Sequence, residues 1–196
     1  MGRIARAALL YDGCFAHVFT RAIERRKIFE KSEDFQFFKN EVLVVKKEYS
    51  FKVFHYCLMQ THVHMVVAIK DASRFSEGMK VLKKSYTHQY NVTHKRVGPL
   101  WRDRYRAKLI ENESYLKTCG NYVEYNPVEA GIVERAVDWP YSSSRHYQMG
   151  ERDLIVDLYD YHEAESMPVW RKDEFEEMKV IGSDWFQFQI HRKLTG

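Results

Sequence analysis

Two histidines one residue apart, His62 and His64, are the side chains best placed for chemistry in this 196-residue chain. They lie in an apolar segment, residues 57–69, whose β-branched residues predict a strand. Because side chains alternate between the faces of a strand, Val63 and Met65 would face the core and both imidazoles would face away. Two imidazoles on a rigid strand supply half of a metal site. The alternative is a pair of partly buried rings, hydrogen-bonded to neighbours.

A second pair of polar side chains, Tyr122 and Asn126, lies four residues apart after a helix-like stretch that begins near residue 113. This spacing puts them on one helix face. Because Pro127 disfavours helical geometry at the residue before it, we predict that the helix ends at about Asn126. A tyrosine can be a covalent nucleophile, and an amide oxygen can bind a metal. Taken alone, Tyr122 is better explained as an ordinary half-buried aromatic among 13 tyrosines.

Positive charge is concentrated in the middle of the chain. Residues 80–110 hold nine Lys or Arg against one acid, whereas residues 151–178 hold ten acids against three bases. A basic middle predicts a nucleic-acid surface, because cations bind phosphates while neighbouring aromatic rings stack on bases. The candidate DNA contacts are Arg102, Arg104, Arg106 and Lys108, which alternate along a predicted strand, together with Trp101, Lys83 and Lys84. For the two lysines the alternative is a solvated helix face, and for the aromatic residues it is core packing.

Hydrophobic periodicity predicts an alternating order of elements. The strands are 15–23, 51–58, 62–69 and 101–110, and the helices are 33–49, with Ser32 as its cap, 76–91 and 113–125. The order strand–helix–strand–strand–helix–strand is the split βαβ pattern. It predicts an α/β (α+β) fold, a ferredoxin-like sandwich with an antiparallel sheet and helices on one face. We assign 1–148 to this domain and 149–196, with a helix-like stretch at 172–180, to a C-terminal appendage of unknown role.

Composition is that of an ordinary globular protein, with 45% hydrophobic and 30% charged residues. No apolar run approaches the length of a membrane span, and no signal peptide is evident. Three cysteines, an odd number without metal spacing, favour a reducing compartment. We therefore expect a cytoplasmic protein without a membrane partner.

Five ordered blocks resemble the single-tyrosine transposases of the His-hydrophobic-His (HUH) class, and especially the bacterial REP-associated tyrosine transposases. The blocks are residues 17–22 together with 28–29, then 58–64, 98–108, 122–133 and 139–144. The resemblance covers about residues 10–148. The family often has Asn or Glu where this chain has Thr61, and often Pro where it has Gln60.

The resemblance implies a mechanism and a partner. A divalent metal, Mg²⁺ or Mn²⁺, would be held by His62, His64 and Asn126, and Tyr122 would attack the phosphorus of single-stranded DNA. The resulting 5′-phosphotyrosine leaves a 3′ hydroxyl that can complete strand transfer. The family recognises hairpin (REP-like) single strands, and its members are monomers or homodimers, some of them with exchanged tyrosines.

Three other functions remain open from the sequence. The chain could be a domesticated, sequence-specific single-stranded DNA-binding protein that no longer moves any DNA. It could be a metal-dependent phosphodiesterase that uses water, with Tyr122 merely packing. It could also be a relaxase or replication initiator of the same metal-strand class, although those proteins usually run longer. A covalent DNA adduct separates the first two from a transposase.

Overall fold

The computed structural model describes residues 10–159 of the chain. Within them lie the strands β1 (Cys14–Arg21), β2 (Phe51–Met59), β3 (His62–Ile69) and β4 (Arg106–Ile110), and the helices α1 (Ser32–Glu48), α2 (Ala72–Thr93), α3 (Glu113–Glu129) and α4 (Ser144–Met149). Short 3-10 turns occupy Ile23–Arg25 and Ala136–Asp138. None of these helices is both long enough and apolar enough to cross a membrane.

The sheet has the order β2-β3-β1-β4, and every neighbouring pair is antiparallel. With α1 between β1 and β2, and α2 between β3 and β4, this is the predicted ferredoxin-like sandwich, and the prediction is confirmed. The two central strands are β1 and β3. Their register sets Phe19 opposite His64 and Arg21 opposite His62, so the two histidines lie inside the sheet.

The first face of the sheet packs against α1 and α2. Buried side chains such as Val18 and Met65 from the strands meet Phe38 and Leu82 from the helices in one hydrophobic core. The predicted cap of α1 is wrong. Ser32 is already the first helical residue, and the Asp34 carboxylate accepts the backbone N–H groups that precede the helix at 3.0 Å.

The second face of the sheet is covered by α3. Helix α3 contacts β2, β3 and β4, and its buried Cys119 and Val123 lie outside the core that α1 and α2 share. The two helices of the split βαβ unit thus lie on one face as predicted, and the helix that follows the unit lies on the other. His62 and His64 do point away from the first core, but into a second packed layer instead of solvent.

Strand β4 is shorter than the predicted strand 101–110. Trp101 makes a single bridge to Ala22, and the regular ladder starts only at Arg106. The physical reason is that side chains donate hydrogen bonds to the backbone carbonyls between Trp101 and Arg106. The Lys83 ammonium donates to the Asp103 and Arg104 carbonyls, and the Thr20 hydroxyl donates to the Arg104 carbonyl at 3.3 Å.

The segment after α3 continues along the same body. Tyr141 stacks on Phe35 with ring centroids 3.6 Å apart, and Asp153 accepts hydrogen bonds from Tyr56 (2.5 Å) and Lys39 (3.2 Å). Ile155 is buried in the first core. Residues 153–155 therefore pack on the domain although they follow the predicted boundary at 148. The helix predicted at 172–180 lies outside the described residues.

Candidate active site

The two histidines of β3 differ in their surroundings. His64 is buried and His62 is half-buried, with ring centroids 5.0 Å apart. The Nδ1 atom of His62 lies 2.9 Å from the Thr61 hydroxyl. The Nδ1 atom of His64 lies 2.9 Å from Nε2 of His17 on the neighbouring strand. Each imidazole is therefore oriented by a contact at its own Nδ1 atom.

His17 is a third histidine of this site, and the sequence did not single it out. It lies diagonally across from His64 on the same face of the sheet, because β1 pairs with β3. Lys108 of β4 is directly opposite it. Burial, with the Lys108 charge as a smaller cause, lowers the pKa of His17 to about 3. His17 is therefore a neutral imidazole at every physiological pH.

Tyr122 reaches the histidines from α3. Its ring lies edge-on to both, with centroid distances of 6.0 Å to His64 and 6.1 Å to His17. Burial raises the pKa of Tyr122 well above its ordinary value, and the charge of Glu129 raises it further. The phenol is therefore protonated at neutral pH, so it must lose its proton as it reacts.

Asn126 lies one helical turn beyond Tyr122 on α3. The predicted helix end at this residue is wrong, because α3 runs through Pro127 to Glu129. Proline has no N–H to donate to the carbonyl four residues earlier. The Asn126 side-chain amide replaces it, donating to the carbonyls of Val123 (3.2 Å) and Tyr122 (2.8 Å). Since the amide nitrogen is held in this way, Oδ1 is the atom that could bind a metal.

The two other tyrosines of α3 have different neighbours. Tyr115 is half-buried, with the Lys108 ammonium 5.1 Å from its ring centre. Tyr125 is buried, three residues after Tyr122 and so on a neighbouring ridge of the helix. Tyr122 has ring contacts with both His17 and His64.

A buried polar cluster fixes α3 on the sheet. Glu124 contacts Nδ1 of His55 on β2 at 2.8 Å and accepts a hydrogen bond from Ser143 at 2.7 Å. The His55 ring stacks on Tyr147 and lies flat against Gly120, where an added Cβ would come within 2.4 Å of Nε2. We call these five residues the α3 clamp. Two of its members, Gly120 and Glu124, lie on the same helix as Tyr122 and Asn126, so the clamp helps to position these two residues on the sheet.

The predicted DNA contacts fall into two groups. Arg106 and Lys108 lie on β4, opposite Phe19 and His17, and so on the face of the candidate site. Arg102 and Arg104 are exposed in the preceding loop instead of on the predicted strand. Lys84 is exposed on α2.

Lys83 and Trp101 are less exposed than the arginines of the loop before β4. Lys83 is buried, and its ammonium is bound to the loop carbonyls before β4. Trp101 is half-buried, donates from Nε1 to the Lys83 carbonyl at 3.1 Å, and packs near Phe38 and Tyr86. Both residues support the loop that carries Arg102, and their direct contact with DNA stays a prediction.

The loop after β1 is also basic, which was not predicted from the sequence. Arg25, Arg26 and Lys27 are exposed directly after β1, and Arg25 adopts a left-handed backbone (φ 54°). Backbone hydrogen bonds tie this loop to the turn before His62 (Ala22 N–H to Thr61 O, 2.9 Å). The signal was present as three consecutive cations. The position of this loop close to the histidines, however, follows from the strand pairing and is not visible in the sequence.

The donors on this face suit a divalent cation such as Mg²⁺ or Mn²⁺. Two neutral imidazoles and an amide oxygen are acceptable ligands for either. Coordination through Nε2 of His62 and His64 would preserve the contacts that both Nδ1 atoms make. Within residues 10–159 no group of three or more His, Cys, Asp or Glu side chains is arranged to hold a metal. The predicted site therefore depends on Asn126.

Comparison with known proteins shows the family to which the chain belongs. The sequence profile described as "Transposase IS200 like" matches residues 11–126. The REP-associated tyrosine transposase of Escherichia coli (strain K12) is 23% identical over 142 residues, with 72% of this chain and 79% of that protein covered. A Haemophilus influenzae protein assigned to the same group is 27% identical over 123 residues, with 58% of this chain and 66% of that protein covered.

The fold has a solved counterpart. A REP-associated tyrosine transposase bound to a REP hairpin superposes with a TM-score of 0.65 at 20% identity, over 84% of this chain and 98% of that one. The profile match spans more than half of the chain and contains the three histidines, Tyr122 and Asn126. The resemblance drawn from the sequence is confirmed, and the chain belongs to the IS200-like transposase family.

Proposed function

We propose that this protein cleaves and rejoins single-stranded DNA through a 5′-phosphotyrosine on Tyr122, and that it recognises hairpin DNA of the REP type. The observation that supports this most directly is the position of the Tyr122 ring, edge-on to His64 at 6.0 Å. A nucleophile and two metal-ligating side chains meet on one face of the sheet. The nucleophile and the metal-ligating side chains come from the same chain, so a monomer could hold a complete site.

The chemistry follows from the side chains. The Tyr122 oxygen forms a bond to phosphorus while the bond from phosphorus to the 3′ oxygen of the preceding nucleotide breaks. The phenol loses a proton and the departing 3′ oxygen gains one, so atoms and charge balance. The phosphotyrosine retains the energy of the broken bond, so a 3′ hydroxyl can later attack it and reseal a strand.

His62, His64 and Asn126 would hold the divalent metal. Such an ion, when bound, supplies a Lewis acid for a phosphate oxygen and orients the phosphate for in-line attack. Arg106 and Lys108 add positive charge on the same face, and long-range attraction from Arg102 and Arg104 would guide the strand.

Hairpin recognition is proposed from the comparisons and from charge. The solved relative is bound to a REP hairpin. In this chain, the exposed cations of the loop after β1 and of the loop before β4 adjoin each other, since Arg102 N–H donates to the Arg21 carbonyl at 3.1 Å. Together they form a basic surface beside the histidines.

The test is to incubate the protein with a labelled hairpin carrying a single-stranded flank and Mn²⁺, and to resolve the products by denaturing electrophoresis. We expect a protein–DNA adduct that peptide mapping places on Tyr122. Tyr122→Phe should bind DNA normally and form no adduct, while the matched controls Tyr115→Phe and Tyr125→Phe should retain it.

Other outcomes select the alternative functions. An adduct that persists in Tyr122→Phe would overturn the assignment of the nucleophile. Cleavage without any adduct would indicate a phosphodiesterase that uses water. Binding without cleavage, at any divalent metal concentration, would indicate a DNA-binding protein that has lost the reaction.

A further inference from the structure

The contact between His17 and His64 joins two imidazoles that are almost completely buried. Their exposed fractions are 3% and 4%. The rings are stacked, with centroids 5.1 Å apart and planes inclined by 11°, and Nε2 of His17 lies 2.9 Å from Nδ1 of His64. A nitrogen–nitrogen contact of this length needs one proton between the two atoms.

The position of that proton decides which nitrogen of His64 can bind a metal. A neutral imidazole carries its proton on one nitrogen and a lone pair on the other. If Nδ1 of His64 donates to His17, Nε2 carries the lone pair. The Thr61 hydroxyl has the same relation to Nδ1 of His62. Both rings would then present Nε2 to a shared ligand.

We propose that His17 is a positioning residue that accepts the Nδ1–H of His64 and so holds its ring and tautomer ready for metal binding through Nε2. This inference rests on the proposed function in so far as that function assigns a metal to His64. His17 would act through His64 and would touch neither the DNA nor the metal.

The surroundings of His17 argue against a direct metal ligand. Lys108 lies directly opposite it on β4, and a neighbouring cation disfavours a second cation. Among the described residues, His17, His62 and His64 do not form a group arranged to hold a metal. A purely packing role would not need a nitrogen 2.9 Å from His64, so an apolar side chain should then serve equally well.

The experiment measures Mn²⁺ affinity by electron paramagnetic resonance of the free ion, in wild type, His17→Gln and His17→Leu. Leucine fills the space without an acceptor, whereas the glutamine amide oxygen can accept the His64 proton. Loss of the partner that orients a metal ligand typically costs 10–100-fold in affinity. We expect about that loss for His17→Leu, and a value within about threefold of wild type for His17→Gln.

Two results would overturn the proposal. Wild-type Mn²⁺ affinity in His17→Leu would show that His17 only packs. An equally large loss in both variants, with native circular dichroism, would indicate that His17 is itself a ligand. If His17→Leu does not fold, ¹⁵N NMR of the Mg²⁺-loaded wild type decides instead. We expect the Nδ1–H tautomer at His64, and the Nε2–H tautomer would reject the proposal.

This readout separates the two proposals. Mn²⁺ binding that distinguishes His17→Leu from His17→Gln, in a wild type that forms no DNA adduct, would support the positioning role and reject the strand-transfer reaction. Adduct formation by wild type, with equal Mn²⁺ affinity in all three proteins, would reject only the role of His17.

Discussion

His62 and His64 make the same predicted contribution to metal binding but different contributions to the packed structure. His64 is enclosed by Phe19, Tyr122 and His17, whereas His62 is half-exposed at the start of β3. Removing His64 therefore leaves a void and a buried imidazole without its partner. Removing His62 exposes little that was buried.

We expect His64→Ala to lower the free energy of unfolding by about 1–3 kcal/mol, because it removes a buried ring and its hydrogen-bond contact with His17, and His62→Ala to lower it by less. Both variants should lose adduct formation, as should wild type in the presence of a chelator. Urea unfolding measured beside the DNA assay checks both statements. Equal stability loss in the two variants would contradict the difference in burial.

Asn126 is held by its amide nitrogen, and this limits which substitutions it tolerates. Asn126→Asp keeps the shape and offers a better metal ligand, but it sets a carboxylate oxygen against the carbonyls of Tyr122 and Val123. We expect Asn126→Asp to be less stable than Asn126→Ala by about 1 kcal/mol. Thermal unfolding of the two variants at pH 7 is the measurement. An aspartate variant more stable than the alanine variant would show that the amide does not serve the helix.

Among individual residues, the sequence identified the candidate site residues whose partners are close to them in the chain. His62 with His64, and Tyr122 with Asn126, are close in the chain, so their shared faces follow from strand and helix periods. His17 is 47 residues from His64, and the two meet only through the pairing of β1 with β3. Lys83 was predicted, from its positive charge, to contact DNA. The backbone carbonyls that bind its ammonium group inside the protein are visible only in the structure.

Helix α3, which carries the proposed nucleophile Tyr122, is positioned by its close fit to the His55 ring. Gly120 of the α3 clamp leaves room for the His55 imidazole, which Tyr147 supports from its other side. We expect Gly120→Ala to lower the free energy of unfolding by about 1–3 kcal/mol, as overpacking of a core does, and to slow adduct formation by shifting Tyr122.

The matched control for this prediction is the double variant Gly120→Ala with His55→Ala, which removes the ring that the new Cβ would strike. In the His55→Ala background, Gly120→Ala should lower the free energy of unfolding by less than it does in the wild-type background. Denaturant unfolding of the four proteins of this cycle gives the coupling energy. Additive effects would show that the close approach of Gly120 and His55 is unimportant.

The elements themselves were predicted with uneven success. Helix α1 was predictable because its buried Phe35, Phe38, Val42 and Val45 recur at helical spacing. The start of β4 was not, because distant side chains bind the loop carbonyls there. The full extent of α3 was missed because a proline normally stops a helix, and the compensating amide becomes visible only in three dimensions.

For the molecule as a whole, charge distribution should govern how the protein meets DNA. The net charge is only +4, but exposed or half-buried cations are concentrated on the loop after β1 and on residues 102–108. Each phosphate contact adds about 0.7 to the slope of log affinity against log salt on a single strand. Four contacts from Arg102, Arg104, Arg106 and Lys108 would give a slope of about 3.

Two further contacts from Arg25 and Arg26 would add about 1.4 to this slope, so we expect the double variant Arg25→Ala and Arg26→Ala to bind the hairpin more weakly and to lower the total slope by about 1–2. Lys52→Ala is the matched control. It removes an exposed cation at the far end of the β2–β3 pair from His62 and should leave the slope unchanged. Fluorescence anisotropy over a series of salt concentrations is the measurement. A flat response in wild type would count against the basic surface.

Pro127 has a consequence for anyone who wishes to make this protein more heat-resistant. Replacing a helical proline by alanine restores a backbone N–H and can stabilise a helix by up to about 3 kcal/mol. At this position the restored N–H would compete for the Val123 carbonyl, which now helps to hold the Asn126 amide. The substitution would thus raise thermal tolerance at the expense of the orientation of a proposed metal ligand. Selection for stability alone would favour losing Pro127, whereas selection for strand transfer would favour keeping it.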